Sequence, residues 1–124
     1  MVLNDPATLA EVEAIFTAYE EALLRNDNET LATMFLDRPE TLRYGLNDVQ
    51  HGYDEVLAFR ATQAAFERTL DRTVITSYGP EFATASTLFH RDDTPGKVGR
   101  QMQVWVKTET GWKVAAAHVS MMDA

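Results

Sequence analysis

The chain has 124 residues, and its 19 acidic side chains outnumber the 11 basic ones, which gives a formal charge of −8 with neutral histidines. With 45% hydrophobic and 24% charged residues it has the composition of a globular domain, which excludes a disordered chain, and its length fits one domain over residues 1–124. The lack of cysteine excludes disulfides and thiolate metal sites. An acidic chain with no basic tail is a poor nucleic-acid binder, because such affinity comes from neutralising phosphates.

The apolar runs in the sequence are only a few residues long, whereas a membrane span needs about 18. The first residues also lack the basic stretch and apolar run of a secretory leader. We therefore expect no membrane span, no leader and a cytoplasmic location.

The first half of the chain predicts helices. Asp5 and Pro6 are typical of a helix start, and apolar residues then recur at three- and four-residue steps, namely Leu9, Val12, Phe16, Tyr19 and Leu23. The polar run 26–28 breaks this helix and starts a second, short one that ends at Arg38-Pro39. A third helix is predicted from Tyr53 to about Phe66, with Arg60 along one side.

The remaining segments predict strands. The predicted strands are Thr41–Tyr44, Thr69–Tyr78, Phe82–His90, Arg100–Thr108 and Trp112–Met122, with a polar loop from Leu46 to Gly52. This order predicts an α+β domain in which three N-terminal helices pack on one face of a curved, mainly antiparallel sheet.

Both side-chain parities of the last predicted strand are largely apolar, whereas a sheet with one wet face should alternate. Three helices cannot cover both faces of the sheet. We therefore expect a homodimer or larger homo-oligomer that buries the outer sheet face.

Several chemistries lack their sequence motifs. The three histidines, His51, His90 and His118, are far apart, so we expect no metal site. No serine lies in a nucleophile elbow, and no glycine-rich phosphate loop occurs. We expect no cofactor.

What remains is a set of polar residues on otherwise apolar faces. Each has an ordinary structural interpretation, such as a core tyrosine or an ion-paired arginine, but together they favour a polar pocket inside an apolar shell. The candidates are Tyr19, Arg43, Arg60, Gln103 and Trp105 (which share a strand face with Gln101), and His118 and Ser120 on the last strand.

The chain also resembles a known family. The motifs that carry the resemblance are Leu42-Arg43-Tyr44-Gly45, Gly52-Tyr53-Asp54, Ala58-Phe59-Arg60, Gly99-Arg100-Gln101 and Ala117-His118-Val119-Ser120. Together they resemble the AtzH/HpxZ-like branch of the SnoaL-like (NTF2-like) superfamily. The resemblance spans the whole chain and implies a cone-shaped α+β barrel with a pocket inside the cone.

The resemblance implies an enzyme of cyanuric acid and ureide nitrogen catabolism. An enzyme of the AtzH type removes one terminal carboxyl group of 1,3-dicarboxyurea as carbon dioxide and leaves urea-1-carboxylate (allophanate). By motif context Tyr19 and Arg43 match the residues implicated in catalysis. Because this substrate is a small dianion, we expect Arg43 to bind one carboxylate and Arg60 or Arg72 the other.

Tyr19 would protonate the nitrogen as the C–N bond breaks, or would instead orient a water for hydrolytic cleavage. The other subgroup of the branch implies oxalurate breakdown, and the sequence does not separate the two. A third interpretation is a non-catalytic association module that binds carboxylates. A fourth, an isomerase or cyclase, needs a carboxylate base in the pocket, and the buried stripes offer no clear Asp or Glu.

Overall fold

A computed structural model describes residues 1–124, which form three helices and six strands. The helices are α1 (Pro6–Arg25), α2 (Asn28–Met34) and α3 (Tyr53–Ala61). The strands are β1 (Leu42–Tyr44), β2 (Val49–His51), β3 (Arg68–Ser77), β4 (Phe82–Arg91), β5 (Lys97–Thr108) and β6 (Gly111–Asp123). They form one sheet in the order β2-β1-β6-β5-β4-β3, in which only the β1–β6 pair is parallel.

The core lies between the helices and one face of this sheet. Val12 and Phe16 of α1 pack in the same buried cluster as Trp105 of β5 and Val114 of β6. The predicted α+β class is therefore confirmed. Two details differ: the sheet is open, with β2 and β3 at its edges, and α3 follows β1 and β2, so that only two helices precede every strand.

Helix α1 begins and ends as its sequence predicts. The Asp5 carboxylate accepts a hydrogen bond from the Thr8 amide at 3.2 Å, and Pro6 occupies the first turn. Asn26 ends the helix in the left-handed conformation, with φ of 56°. None of the helices combines the length and apolar composition needed to cross a membrane.

Three elements differ most from the prediction. Helix α2 ends at Met34 rather than at Arg38-Pro39. The expected loop 46–52 contains the short strand β2, which pairs with β1. Helix α3 ends at Ala61 rather than near Phe66, and just beyond this end Asn26 Nδ2 donates a hydrogen bond to the Gln63 carbonyl at 2.8 Å. The residues freed from the helix lead to Arg68, the first residue of β3.

A bulge in β6 reverses the direction of its side chains. Val104 pairs with Ala116, but Trp105 pairs with Val114, so that Ala115 is an extra residue in β6. Because side chains in a strand alternate between faces, one extra residue moves every later position to the opposite face. Val114 and Ala117 therefore both face the helices, although they have opposite parity in the sequence.

Candidate functional site

A cavity of about 220 Å³ lies between the sheet and helices α1 and α3. It has an apolar part formed by residues such as Leu23 and Phe89, and a polar part of arginines, glutamines and one tyrosine. The polar lining residues are Tyr19, Arg43, Asn47, Asp48, Arg60, Gln63, Arg68, Arg91, Gln101 and Gln103. The cavity is thus a polar pocket in an apolar shell, as the sequence predicts.

Tyr19 enters the cavity wall from the buried stripe of α1. Its ring is 5% exposed and packs edge-on against Phe35 and Trp105, with ring centroids 6.0 and 5.9 Å away. These contacts fix the ring. The Tyr19 hydroxyl makes no hydrogen bond with another protein group, so it is available to a molecule in the cavity.

Arg43 is held at the cavity wall by two neighbours. Its Nη1 donates to Asp48 Oδ1 at 2.6 Å and to Gln50 Oε1 at 2.8 Å, and Gln50 Nε2 donates to the same Asp48 oxygen at 3.0 Å. The guanidinium also lies 4.5 Å from the centroid of the Phe59 ring. Arg43 is therefore fixed in place, and its charge is balanced by a carboxylate.

The turn between β1 and β2 positions the Asp48 carboxylate next to Arg43. The Gly45 amide donates to the Asp48 carbonyl at 2.9 Å, and a Cβ at Gly45 would collide with the Asp48 carboxylate. Only glycine leaves room for the side chain to fold back over the turn toward Arg43.

The pKa of Asp48 is lower than that of an ordinary aspartate. Burial by itself raises this pKa, but the hydrogen bond from Gln50 and the charge of Arg43 outweigh burial and favour the ionised form. Asp48 is thus a carboxylate at neutral pH and a poor proton donor.

This lowered pKa predicts a pH-dependent contribution to stability. A carboxyl group with a depressed folded-state pKa stabilises the fold above its unfolded pKa, and the contribution is lost as the pH falls through the folded pKa. We expect the difference in unfolding free energy between wild type and Asp48→Asn to be constant above about pH 5 and to shrink below about pH 4. Urea unfolding across this range measures it, and a difference that grows on acidification would contradict the assignment.

Arg60 of α3 is the unusual cation of the site. It is 6% exposed, its Nε has no hydrogen-bond partner, and no carboxylate lies within ion-pair distance. Its guanidinium lies 5.0 Å from the Phe59 ring centroid, so Phe59 contacts both Arg60 and Arg43. Burial lowers the pKa of Arg60, and interaction with Tyr19 opposes that shift. A buried cation without a partner is costly, and an anion in the cavity would remove that cost.

Arg68, at the start of β3, is buried but fully paired. Its Nε and Nη2 donate to the two carboxylate oxygens of Glu20 at 2.9 and 2.6 Å, and its Nη1 donates to Gln101 Oε1 at 3.2 Å. The remaining lining arginine, Arg91, pairs with Asp93 at the rim. Among the lining arginines only Arg60 has no carboxylate partner, which leaves the cavity with one unbalanced positive charge.

The structure brings together four of the residues that the sequence proposes for the site. Tyr19, Arg43, Arg60 and Gln103 all line the cavity. Trp105 does not: it lies fully buried behind the wall, where its Nε1 donates to Gln103 Oε1 at 3.0 Å. Its place is to orient Gln103 rather than to contact a ligand.

The expectation that His118 and Ser120 contact the substrate needs correction. Both lie on the outer face, where His118 packs edge-on against Tyr44 and Ser120 accepts a hydrogen bond from Arg100 at 3.1 Å. The bulge at Ala115 is the cause, because it turns Ala117 and Val119 toward the cavity instead. Arg72 lies on the exposed bulge of β3 with φ of 51° and does not line the cavity either.

Some site residues were missed by the sequence interpretation. Asp48 and Gln50 lie in a segment assigned to a loop, and Glu20 was counted among exposed residues, although its side chain is 13% exposed. The sequence interpretation argued against an isomerase because it found no carboxylate for the pocket. Asp48 does line the cavity, so that argument does not hold. Gln101 was noted in the sequence only as sharing a strand face with Gln103, and the structure places it in the cavity lining as well.

Comparison with known proteins assigns the chain to a family. The model of the AtzH-like family matches residues 1–124. The chain belongs to the AtzH-like family. The comparison with curated proteins finds no match.

Solved structures agree with the assignment. A cystatin-like fold protein from Burkholderia xenovorans is 44% identical, with a TM-score of 0.96 over 100% of this chain and 98% of that one. A protein of the DUF3225 family from Pectobacterium atrosepticum, whose function is unknown, is also 44% identical, with a TM-score of 0.93 over 98% and 95%. An NTF2-like superfamily protein from Salmonella enterica is 26% identical, with a TM-score of 0.75 over 92% and 90%. The resemblance to the AtzH-like branch and its superfamily is thus confirmed.

Proposed function

We propose that this AtzH-like protein is an enzyme that removes one terminal N-carboxyl group from 1,3-dicarboxyurea, giving carbon dioxide and urea-1-carboxylate. The observation that carries the proposal is the pairing, in one cavity, of a buried arginine without a carboxylate partner and a tyrosine hydroxyl without a hydrogen bond. Arg60 supplies the unbalanced charge and Tyr19 the free hydroxyl.

The charges of the cavity suit a small dianion. Arg43 faces one substrate carboxylate while its own position is held by Asp48 and Gln50. Arg60 binds the other carboxylate and thereby gains the anionic partner that the protein does not provide. Since the cavity measures about 220 Å³, it is large enough for a planar urea with two carboxylates.

The reaction needs one proton at the nitrogen that loses its carboxyl group. As the C–N bond breaks, its electron pair remains on nitrogen, the carboxylate leaves as carbon dioxide, and the Tyr19 hydroxyl gives its proton to that nitrogen. The resulting phenolate lies near the Arg60 guanidinium and later regains a proton from solvent. One proton is consumed overall, and the product keeps the second carboxylate.

A direct assay tests the proposal. Purified protein is mixed with carboxyl-13C-labelled 1,3-dicarboxyurea, and the products are followed by 13C NMR. We expect labelled carbon dioxide and urea-1-carboxylate in equal amounts, at a rate well above that of the buffer alone. Saturable binding with no turnover would instead indicate a carboxylate-binding module and would reject the enzyme.

For the outer face of the sheet we propose a second copy of the chain as partner. Val74, Met102 and Met122 on this face are 57, 51 and 48% exposed. The outward side chains of β4, β5 and β6 include no carboxylate, and the one on β3, Asp71, lies 3.7 Å from His90 Nε2. Two copies of an acidic protein can approach through this face with little carboxylate repulsion.

The Met102→Glu variant tests this interface. We expect wild type to sediment as a dimer at micromolar concentration. In Met102→Glu, dimerisation would bury one introduced carboxylate from each copy in an apolar contact, so we expect this variant to sediment as a monomer. Val2→Glu is the control, because Val2 is 62% exposed and lies outside strands β3 to β6. A monomeric wild type would reject the interface.

A further inference from the structure

Gln101 has a fixed orientation that follows from its neighbours. Its Oε1 accepts a hydrogen bond from Arg68 Nη1 at 3.2 Å, and Arg68 is itself fixed by two hydrogen bonds to Glu20. The amide NH2 of Gln101 must then turn away from Arg68. Gln101 is 5% exposed, lines the cavity, and its Nε2 has no hydrogen-bond partner.

Gln103, two residues further along the same strand face, is oriented in the same way. Trp105 Nε1 donates to its Oε1 at 3.0 Å, which leaves the NH2 as the free polar group of Gln103. Arg60 Nε is likewise a buried donor without a partner. We call Arg60, Gln101 and Gln103 the donor wall, because each presents an N–H group whose acceptor is not supplied by the protein.

A buried N–H donor without an acceptor destabilises the protein, and a ligand oxygen that accepts its hydrogen bond removes this penalty. A carboxylate brings two oxygens that only accept hydrogen bonds, so it suits a surface of N–H donors. An amide NH2 group placed there would bring its own N–H donors against the N–H donors of the wall, so no hydrogen bond could form between them. The donor wall therefore discriminates between these two groups by hydrogen-bond polarity as well as by charge.

We propose that the donor wall is the subsite for the substrate carboxylate that is retained, with Arg68 and Trp105 as positioning residues; this inference rests on the proposed function. A carboxylate that leaves as neutral carbon dioxide gains nothing in the transition state from extra donors, so the donor wall suits the other end. The leaving carboxylate then lies toward Arg43, whose charge Asp48 already balances.

The arrangement also limits the reaction to one decarboxylation. To lose its remaining carboxylate, urea-1-carboxylate must bind in reverse, with its NH2 group against the donor wall. Since that orientation pairs donors with donors, the wild-type protein is expected to form no urea.

Stable ligands test the subsite without turnover. Glutarate has the same number of atoms between its carboxyl carbons as 1,3-dicarboxyurea, and glutaramide is its neutral diamide. We expect calorimetry to show glutarate binding to wild type, at least about tenfold weaker binding to Gln101→Met, and no binding of glutaramide. Thr110→Met is the control: Thr110 is exposed in the turn between β5 and β6, does not line the cavity, and should leave glutarate affinity unchanged.

A second measurement does not depend on a variant. In 1H–15N spectra of wild type, the Gln101 side-chain NH2 resonances should move downfield with glutarate and stay in place with glutaramide. Unchanged affinity in Gln101→Met, an unmoved Gln101 resonance, or no glutarate binding would each overturn the subsite. If glutarate binds as expected but 1,3-dicarboxyurea is not consumed, the proposed function fails, the assignment to a retained carboxylate fails with it, and the donor wall stands only as a carboxylate-binding subsite. Turnover without the glutarate result would instead support the function and overturn the subsite.

Discussion

Replacing Tyr19 by phenylalanine is expected to lower kcat for 1,3-dicarboxyurea by about 10²–10⁴-fold, which is the usual contribution of a positioned general acid. The same variant should keep its unfolding free energy within about 0.5 kcal/mol of wild type. The reason is that the Tyr19 ring makes the packing contacts with Phe35 and Trp105, whereas its hydroxyl binds no protein group. Steady-state kinetics and urea unfolding on the same preparation measure both effects.

Tyr53→Phe is the matched control for this prediction. The Tyr53 hydroxyl donates to the Ala32 carbonyl at 2.6 Å, and Tyr53 does not line the cavity. We expect this variant to lose about 1 kcal/mol of stability and to keep its activity, the opposite of Tyr19→Phe. Full activity in Tyr19→Phe would show that another group or a water supplies the proton.

Replacing Arg60 by methionine is expected to weaken substrate binding and to stabilise the fold. Removing a buried cation that has no carboxylate partner and filling its space with an apolar chain should raise the unfolding free energy by about 1–3 kcal/mol. The same change should lower kcat/KM by at least about 10²-fold, because it removes the charge-assisted contacts to one carboxylate. Thermal unfolding without ligand and steady-state kinetics measure the two effects.

Arg68→Met provides the contrast. It removes the partner of Glu20 and leaves a nearly buried carboxylate without its cation, so it should destabilise the fold by about 3–5 kcal/mol. Two buried arginines in one cavity are thus expected to differ in the sign of their effect on stability. If Arg60→Met proved as destabilising as Arg68→Met, Arg60 would have a structural partner, and its assignment to the substrate would be wrong.

The sequence identified the cavity-lining residues that carry their own local signal. Tyr19 interrupts an apolar helical stripe, and the period of that stripe directs its ring inward whatever the rest of the fold does. Arg43 lies in a short strand, and it became a candidate because the residues around it match a motif of the family. The start of α1 was equally local, because Asp5 and Pro6 act on the neighbouring amides.

Other parts of the site depend on contacts between distant segments. Glu20 is polar and falls among exposed positions of α1, yet it pairs with Arg68, which is 48 residues away. Asp48 lies in a polar stretch with no period, and the turn at Gly45 brings it to Arg43. Such pairs have no pattern in the sequence, because a pattern records only spacing along the chain.

The sequence by itself determined the α+β class, the long helix with its capped ends and the apolar stripes that carry Tyr19 and Arg60, because these depend on local propensity and periodicity. The tertiary structure alone decided which face each residue of β6 occupies. The extra residue at Ala115 exchanges the two faces, so His118 and Ser120 lie outside while Ala117 and Val119 line the cavity. The physical reason is that the position of the bulge is set by the pairing of β6 with β5. The alternation of residues along β6 alone does not show where the bulge lies.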